Sequence, residues 1–279
     1  MSRIFKIAAY ILVTIFAIIL ILPIGWMVLG SFRTDEGIAK LPSDIIPDEW
    51  IIKHYVQLFD SPILRWTVNS LIVAFGGTSI MTLITCLAGY AFAKKKIKAK
   101  EPIFWILLSS IMIPGTATLV PLMILIKDMG LIDTLAGVML PGLLSMVYIY
   151  FFRQYVQDIP NDYLDVAEID GAGEFRKFFS VIVPLSKSAI VTIFLLSFMG
   201  SWNLYVWPLL VLFTPDKMTV PLGVQQIMYN EVFTRALTGL PNYGLMQAAG
   251  TYVLFPMVLL FTIGHRYFVK GLWGGGIKE

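Results

Sequence analysis

The chain alternates between long apolar stretches and more polar connections. Six stretches contain no Asp, Glu, Lys, Arg or His side chain. A helix needs about 20 apolar residues to cross the hydrocarbon core of a bilayer, and each stretch meets or approaches that length. The pattern therefore predicts six transmembrane helices, at residues 7–32, 68–93, 103–126, 135–152, 188–213 and 246–264.

The amino-acid composition agrees with an integral membrane protein. Of the 279 residues, 57% are hydrophobic and 14% are charged, whereas soluble domains average about 25% charged residues. The chain has too few charges to cover a water-soluble protein of its size. We predict an all-α membrane protein with a single transmembrane domain over residues 1–279, its core at roughly 68–264. A disordered chain, a disulfide-rich secreted domain and an ordinary cytosolic enzyme are excluded.

The basic residues indicate how the spans are oriented. One alternating set of connections carries 14 of the 21 Lys and Arg residues and the other set carries 7. Lys and Arg concentrate on the cytosolic side of membrane proteins. The richer set comprises residues 1–6, 94–102, 153–187 and 265–279. We therefore expect both termini in the cytosol, together with the long loop between spans four and five.

The sequence offers little catalytic or metal-binding chemistry. His54 and His265 fall on opposite sides of the predicted membrane, and Cys86 is the single cysteine. The spans contain no ionisable group for a proton relay, and the chain has neither an HExxH motif nor a Walker-type phosphate loop. We expect no catalytic residue, metal or nucleic-acid partner. These observations count against a membrane enzyme. They also count against a secondary carrier that transports its solute without a partner protein.

Polar but uncharged side chains do occur in or beside the spans. Amide groups and aromatic faces are the chemistry that holds sugars, so these residues are candidates for a substrate path. The competing interpretation is that they form hydrogen bonds between helices. The candidates are Asn69, Ser201, Trp202, Asn203, Tyr205 and Gln247.

The inner loop at residues 160–184 has the pattern of a helix, a turn and a second helix. Pro160 and Asn161 are typical of a helix start, and acidic residues follow in the first turn. Gly171 suits the left-handed position that ends a helix. In the second helix, aromatic and aliphatic residues recur at i, i+3, i+4 and i+7, which predicts one apolar face. That face comprises Phe175, Phe178, Phe179 and Ile182.

This arrangement resembles the EAA loop of permease subunits in bacterial ABC importers. Asp165-Val166-Ala167 stands where that family has Glu-Ala-Ala, and Asp170-Gly171-Ala172, Phe178 and Pro184 match the rest of the motif. The departures are an aspartate one methylene shorter than glutamate and a valine bulkier than alanine. The loop also occupies the family's position, one connection before the last.

The resemblance extends over nearly the whole chain. Asn69-Ser70-Leu71 opens the second span, Ser201-Trp202-Asn203 lies in the fifth, and residues 266–272 precede Gly274, Gly275 and Gly276 in the tail. Together these segments look like the smaller membrane subunit of maltose-type carbohydrate importers.

The resemblance implies a set of partners and a mode of action. A second permease would complete a heterodimer in the bacterial inner membrane, two copies of a cytosolic ABC ATPase would bind below it, and an extracytoplasmic binding protein would deliver a carbohydrate. ATP and magnesium would be bound by the ATPase, with no cofactor in this chain. A polyol or a glycerol phosphate is the alternative solute.

The same resemblance assigns roles to residues of the loop and tail. The loop would form a coupling helix seated in a cleft of the ATPase, and the glycine-rich tail would reach the ATPase dimer interface. The tail residues are Gly274, Gly275 and Gly276. The coupling residues are Asp165, Ala167, Glu168, Asp170, Gly171, Ala172, Glu174 and Phe178.

Overall fold

The computed structural model describes residues 3–39, 49–235 and 241–273, and these residues form helices joined by turns, with no strand among them. Three helices are long and apolar enough to cross a membrane: α1 (Arg3–Gly30), α4 (Ile63–Lys94) and α14, which runs over Tyr243–Trp273. Three bent helix pairs pass the same test, and counting each pair as one span gives up to six spans. The predicted all-helical membrane fold is confirmed, and the predicted count of six spans agrees with this upper count.

The remaining helices follow the order of the chain. Helices α2 (Asp35–Ala39) and α3 (Lys53–Asp60) follow the first span. The bent pairs are α5 (Lys100–Met112) with α6 (Gly115–Asp128), α7 (Leu135–Leu143) with α8 (Met146–Gln157), and α10 (Glu174–Leu185) with α11 (Lys187–Trp202). Helix α9 (Asp162–Ile169) precedes α10, while α12 (Val206–Val211) and α13 (Val220–Arg235) lie between α11 and α14.

Three of the predicted spans are broken, the fourth by a 44° bend between α7 and α8, and proline accounts for the breaks in the third and the fifth. The third span bends by 100° between α5 and α6, because a residue that precedes proline, here Ile113 before Pro114, is disfavoured in the helical region. The fifth span ends at Trp202, and a new helix begins only at Val206. Pro208 has no N–H for the carbonyl of Leu204, so a continuous helix would lose that hydrogen bond.

The chain divides into two compact units. The first consists of Met1–Leu64 and Leu222–Pro256, and the second of Arg65–Pro221 and Met257–Glu279. In the first unit His54 is buried, and its Nε2 lies 2.8 Å from the Arg33 carbonyl O. A Cβ added at Gly244 would overlap the His54 ring. His54 therefore has a packing role in this unit.

The core of the second unit includes the inner loop. Phe152 of α8 and Phe178 and Ile182 of α10 belong to one buried cluster with Tyr90 of α4. Helices α4 and α8 approach closely at Gly89, where an added Cβ would lie 3.1 Å from the Arg153 backbone nitrogen. The loop is thus attached to the span bundle through a shared hydrophobic core.

A clamp of polar contacts in the second unit fixes the start of the connection at 214–245, which the distribution of basic residues predicts to be an outer loop. The Asp133 carboxylate accepts hydrogen bonds from the backbone N–H groups of Phe213 and Thr214, at 2.9 and 3.0 Å, and pairs with Lys217 Nζ at 2.8 Å. These contacts, the Lys217 bond first, lower the pKa of Asp133. Trp66 Nε1 donates to the Pro215 carbonyl at 2.7 Å.

Candidate functional site

The turn of the inner loop is closed by a Schellman motif. Gly171 has a φ of +76°, so the predicted left-handed position is confirmed. Its N–H donates to the Glu168 carbonyl at 2.9 Å, and the Ala172 N–H donates to the Ala167 carbonyl at 2.8 Å. This pair of bonds satisfies carbonyls at the end of α9 that no helical N–H can reach. The turn therefore has a defined shape.

Lys177 holds the two halves of the loop together. Its side chain is only 6% exposed, and its Nζ lies 2.6 Å from Glu168 Oε2 and 3.6 Å from Glu174 Oε1. The hydrogen bond to Lys177 lowers the pKa of Glu168, and the same bond raises the pKa of Lys177. A buried ammonium without a partner is strongly unfavourable, so the pair fixes α9 against α10.

The C-terminal end of α4 supplies a second attachment. Lys95 pairs with Glu174, and the Tyr90 hydroxyl donates to Glu174 Oε2 at 3.2 Å. The hydrogen bond from Lys95 is the main cause of a lowered pKa of Glu174. Lys94 Nζ donates to the Ile159 carbonyl at 2.6 Å and to Asn161 Oδ1 at 2.9 Å. The basic run after span two thus anchors the loop.

The predicted apolar face of the second helix is buried only in part. Phe178 and Ile182 are 2% and 0% exposed, but Phe175 and Phe179 are 74% and 54% exposed. The four residues of the predicted apolar face therefore do not share one buried side of the helix. Residues Phe178–Ile182 form a π-helical turn, which has more residues per turn than the 3.6-residue period on which the prediction rests.

The exposed surface of the inner loop combines apolar and acidic side chains. Val166, Ile169 and Phe175 are exposed, as are Asp165 and Asp170, which form no ion pair with another described residue. Glu168 and Glu174, by contrast, direct their carboxylates to lysines of this chain. This combination is suited to an apolar cleft with basic groups at its rim. We call these five exposed residues the loop surface.

The span candidates do not all lie at one place. Ser201 lines a cavity of about 380 Å³ in the second unit. Trp202 is buried and stacks on Phe198, with ring centroids 6.0 Å apart. The Asn203 amide nitrogen donates to the Met199 carbonyl at 2.9 Å and contacts Met257 Sδ at 3.0 Å. The amide group therefore forms its contacts at the C-terminal end of α11. Neither Trp202 nor Asn203 lines the cavity.

The other candidates have separate surroundings. Asn69 Nδ2 donates to the carbonyls of Asp216 and Met218, both at 2.9 Å, and so holds the predicted outer loop. Tyr205 is half-buried. Gln247 belongs to the first unit, where its Oε1 is buried without a partner among the described residues. The tail candidates Gly274, Gly275 and Gly276 lie outside the described residues.

Comparisons with known proteins identify relatives along almost the whole chain. The chain is 30% identical to the arabinooligosaccharides transport system permease protein AraQ of Bacillus subtilis, over 99% of this chain and 96% of the relative. It is 32% identical to the lactose transport system permease protein LacG of Rhizobium radiobacter, over 98% and 96%. The sn-glycerol-3-phosphate permease UgpE of Agrobacterium fabrum is 28% identical over 96% and 95%.

A solved structure supports the fold, and a family match covers the inner loop. A bacterial ABC transporter involved in the import of the acidic polysaccharide alginate superimposes with a TM-score of 0.85 at 22% identity, over 96% of this chain and 99% of that one. Residues 85–274 match the family of binding-protein-dependent transport system inner membrane components. The chain belongs to this family of ABC importer permeases and is a multi-pass membrane transport component.

Proposed function

We propose that this chain forms, with a second permease, the membrane path of an importer for a sugar or oligosaccharide. Two relatives at 30% and 32% identity carry names that refer to arabinooligosaccharides and lactose. An extracytoplasmic binding protein would deliver the sugar, and the predicted outer loop at 214–245 is the segment assigned to docking it. Both termini would lie in the cytosol, as the distribution of basic residues favours.

The energy for import comes, in this proposal, from a cytosolic ATPase present in two copies. The observation that carries it is the inner loop, whose turn is closed at Gly171 and whose halves are joined by the buried Lys177. A loop that is packed against the bundle on one side and exposed on the other transmits the movement of a docked partner to the spans. ATP and magnesium would be held by the ATPase, and no catalytic residue is assigned here.

The proposed mechanism is alternating access. When the ATPase pair closes on ATP, the loop surface moves with it, and the contacts of Lys94 and Lys95 carry the movement to α4. The two access states differ in free energy by an amount that ATP binding in the partner changes. The tail at 274–276 would add a second contact with the ATPase.

The test is co-purification of the tagged chain from native membranes in mild detergent, with mass spectrometry of its companions. We expect a second permease, an ABC ATPase and a sugar-loaded binding protein. The control is Gly171→Arg, which should insert normally and retain the second permease while losing the ATPase. Recovery of the chain alone, under conditions that keep other importers intact, would contradict the proposal and favour a self-sufficient carrier.

A glycerol phosphate is the second candidate solute, because the 28%-identical relative UgpE carries the name of such a transporter. A phosphate ester needs basic groups along its path. Uptake of glycerol 3-phosphate in preference to neutral sugars by the same purified complex would favour this candidate.

A further inference from the structure

A cavity in the second unit has the size and lining of a small-molecule site. It is bounded by residues of α4, α6, α7, α8, α11 and α12, and its volume is about 380 Å³. Pockets that bind small molecules measure about 300–1,000 Å³. Its hydroxyl-bearing side chains are Thr78, Thr118, Tyr148, Ser197 and Ser201.

Glycines keep this cavity open. A Cβ added at Gly115, Gly142 or Gly200 would meet nothing within 4 Å, and none of the three has a positive φ. At Gly89, by contrast, crowding explains the glycine, because a Cβ there would press on Phe152. Gly200 lies inside α11, where glycine is a poor helix former. Neither backbone strain nor crowding explains glycine at position 200, but this residue lines the cavity, so a larger side chain there would occupy cavity space.

Three of the five cavity hydroxyls have partners, since Thr118 donates to the Gly115 carbonyl at 2.8 Å and Thr78 lies 3.5 Å from Ser197, but the other two are not used as span hydroxyls usually are. Ser79 and Thr192 donate to the carbonyl four residues earlier, each at 2.8 Å. Ser201 and Tyr148 make no such side-chain hydrogen bond with any described residue. A hydroxyl at membrane depth without a partner is unfavourable. These two hydroxyls therefore need water or a polar solute in the cavity.

The lining also selects among polar solutes. None of the described residues around the cavity is charged, so the lining lacks the basic groups that a phosphate ester or an acidic sugar would need. Hydroxyls both donate and accept hydrogen bonds, as the hydroxyls of a sugar do. Trp207 adds an aromatic side chain, and its Nε1 donates to the Gly137 carbonyl at 3.1 Å, which fixes the ring.

We propose that this cavity is a subsite for one neutral sugar ring within this subunit, and that the sugar occupies it during import. The inference rests on the proposed function, since it names where the sugar of that importer binds. Ser201 and Tyr148 hydrogen-bond the sugar hydroxyls, and Gly200 leaves room for the ring.

The test uses the whole importer complex in proteoliposomes, with its binding protein outside, ATP inside, and radiolabelled lactose or arabinotriose as the probe. We expect Gly200→Leu to lower uptake at least tenfold while the ATPase stays bound. Ser201→Ala should lower uptake severalfold, whereas the matched control Ser79→Ala should import at the wild-type rate. Wild-type uptake in both Gly200→Leu and Ser201→Ala would overturn the subsite.

A second measurement covers the case in which Gly200→Leu fails to assemble. Ser201→Cys is exposed to a membrane-impermeant thiol reagent, with and without the transported sugar, and the buried Cys86 of the wild-type chain gives the background. We expect labelling that the sugar slows. Absence of labelling, or labelling that the sugar leaves unchanged, overturns the subsite. A wild-type complex that imports neither these two sugars nor the sugar that co-purifies with its binding protein contradicts the proposed function itself.

Discussion

Adding one methyl group at Gly171 is the most direct test of the backbone conformation of the inner loop. Its φ of +76° lies in the left-handed region, and nothing lies within 4 Å of an added Cβ. Gly171→Ala therefore changes backbone strain without creating a clash. Gly173, two residues later, has a φ of −68°, and its added Cβ also meets nothing within 4 Å. Gly173→Ala is thus a matched control in the same turn.

The magnitude follows from the backbone conformation. A left-handed residue other than glycine costs about 1–2 kcal/mol, which corresponds to a factor of roughly 5–30 in an equilibrium constant. If the variant loop relaxes when free and must return to the native turn on docking, ATPase affinity falls by up to that factor. Gly171→Asn should lose less, because asparagine adopts this conformation more readily. Gly173→Ala should change affinity by less than about twofold, since its φ suits alanine.

The assay is ATPase binding to the purified permease pair in nanodiscs, with sugar-stimulated ATP hydrolysis as a second readout. We expect affinity to fall in the order wild type and Gly173→Ala, then Gly171→Asn, then Gly171→Ala. Equal affinity of Gly171→Ala and wild type would refute the claim that the left-handed turn is the docked conformation. A loss as large in Gly173→Ala would refute the assignment of the effect to backbone strain.

Three further predictions concern acid sensitivity, the predicted outer loop and Asn203. Because Lys177 lowers the folded-state pKa of Glu168, their ion pair stabilises the loop above the ordinary glutamate pKa of about 4.3, and this stabilisation is lost as pH falls through the lowered pKa. The hydrogen-exchange protection of the loop, relative to the intrinsic exchange rate at each pH, should fall on acidification, and less so in Glu168→Gln; equal acid responses would contradict this. Asp133→Ala should destabilise the second unit by about 1–2 kcal/mol, because four donor groups lose their acceptor. Asp133→Asn, which loses chiefly the charge opposite Lys217, should cost less stability in thermal unfolding; equal losses would argue against the clamp. Asn203→Ala should lower the free energy of unfolding by about 1 kcal/mol and leave uptake near the wild-type rate, because the Asn203 amide donates to a carbonyl at the end of α11. A tenfold loss of uptake at normal stability would instead show that Asn203 contributes to the substrate path.

Local features of the fold could be predicted from the sequence because they depend on neighbours along the chain. The six spans follow from segment length and the absence of charge. The turn at Gly171 follows from the need for a residue without a Cβ at a left-handed helix end. The proline at 114 also explains a break, although the 100° angle at that break depends on packing and not on the proline alone.

Features that depend on tertiary contacts could not be predicted in the same way. The lysine run after span two has the composition of a solvated flank, yet Lys94 and Lys95 bind the loop more than 60 residues later. The spacing of hydrophobic residues does not indicate the π-helical turn, in which Phe178 is buried and Phe179 is exposed. The unpartnered hydroxyl of Ser201 became evident only when its neighbours were known.

The most direct test of the central claim is photo-crosslinking from the loop surface in intact membranes. Ile169 is 85% exposed in the turn region, and a photoreactive phenylalanine there should capture the ATPase. The same probe at Phe213, which we expect on the opposite side of the membrane, should not. We expect an ATPase adduct from position 169 that Gly171→Arg abolishes. An ATPase adduct from position 213, or none from position 169 in a complex that retains its ATPase, would show that the loop surface is not the ATPase-docking surface.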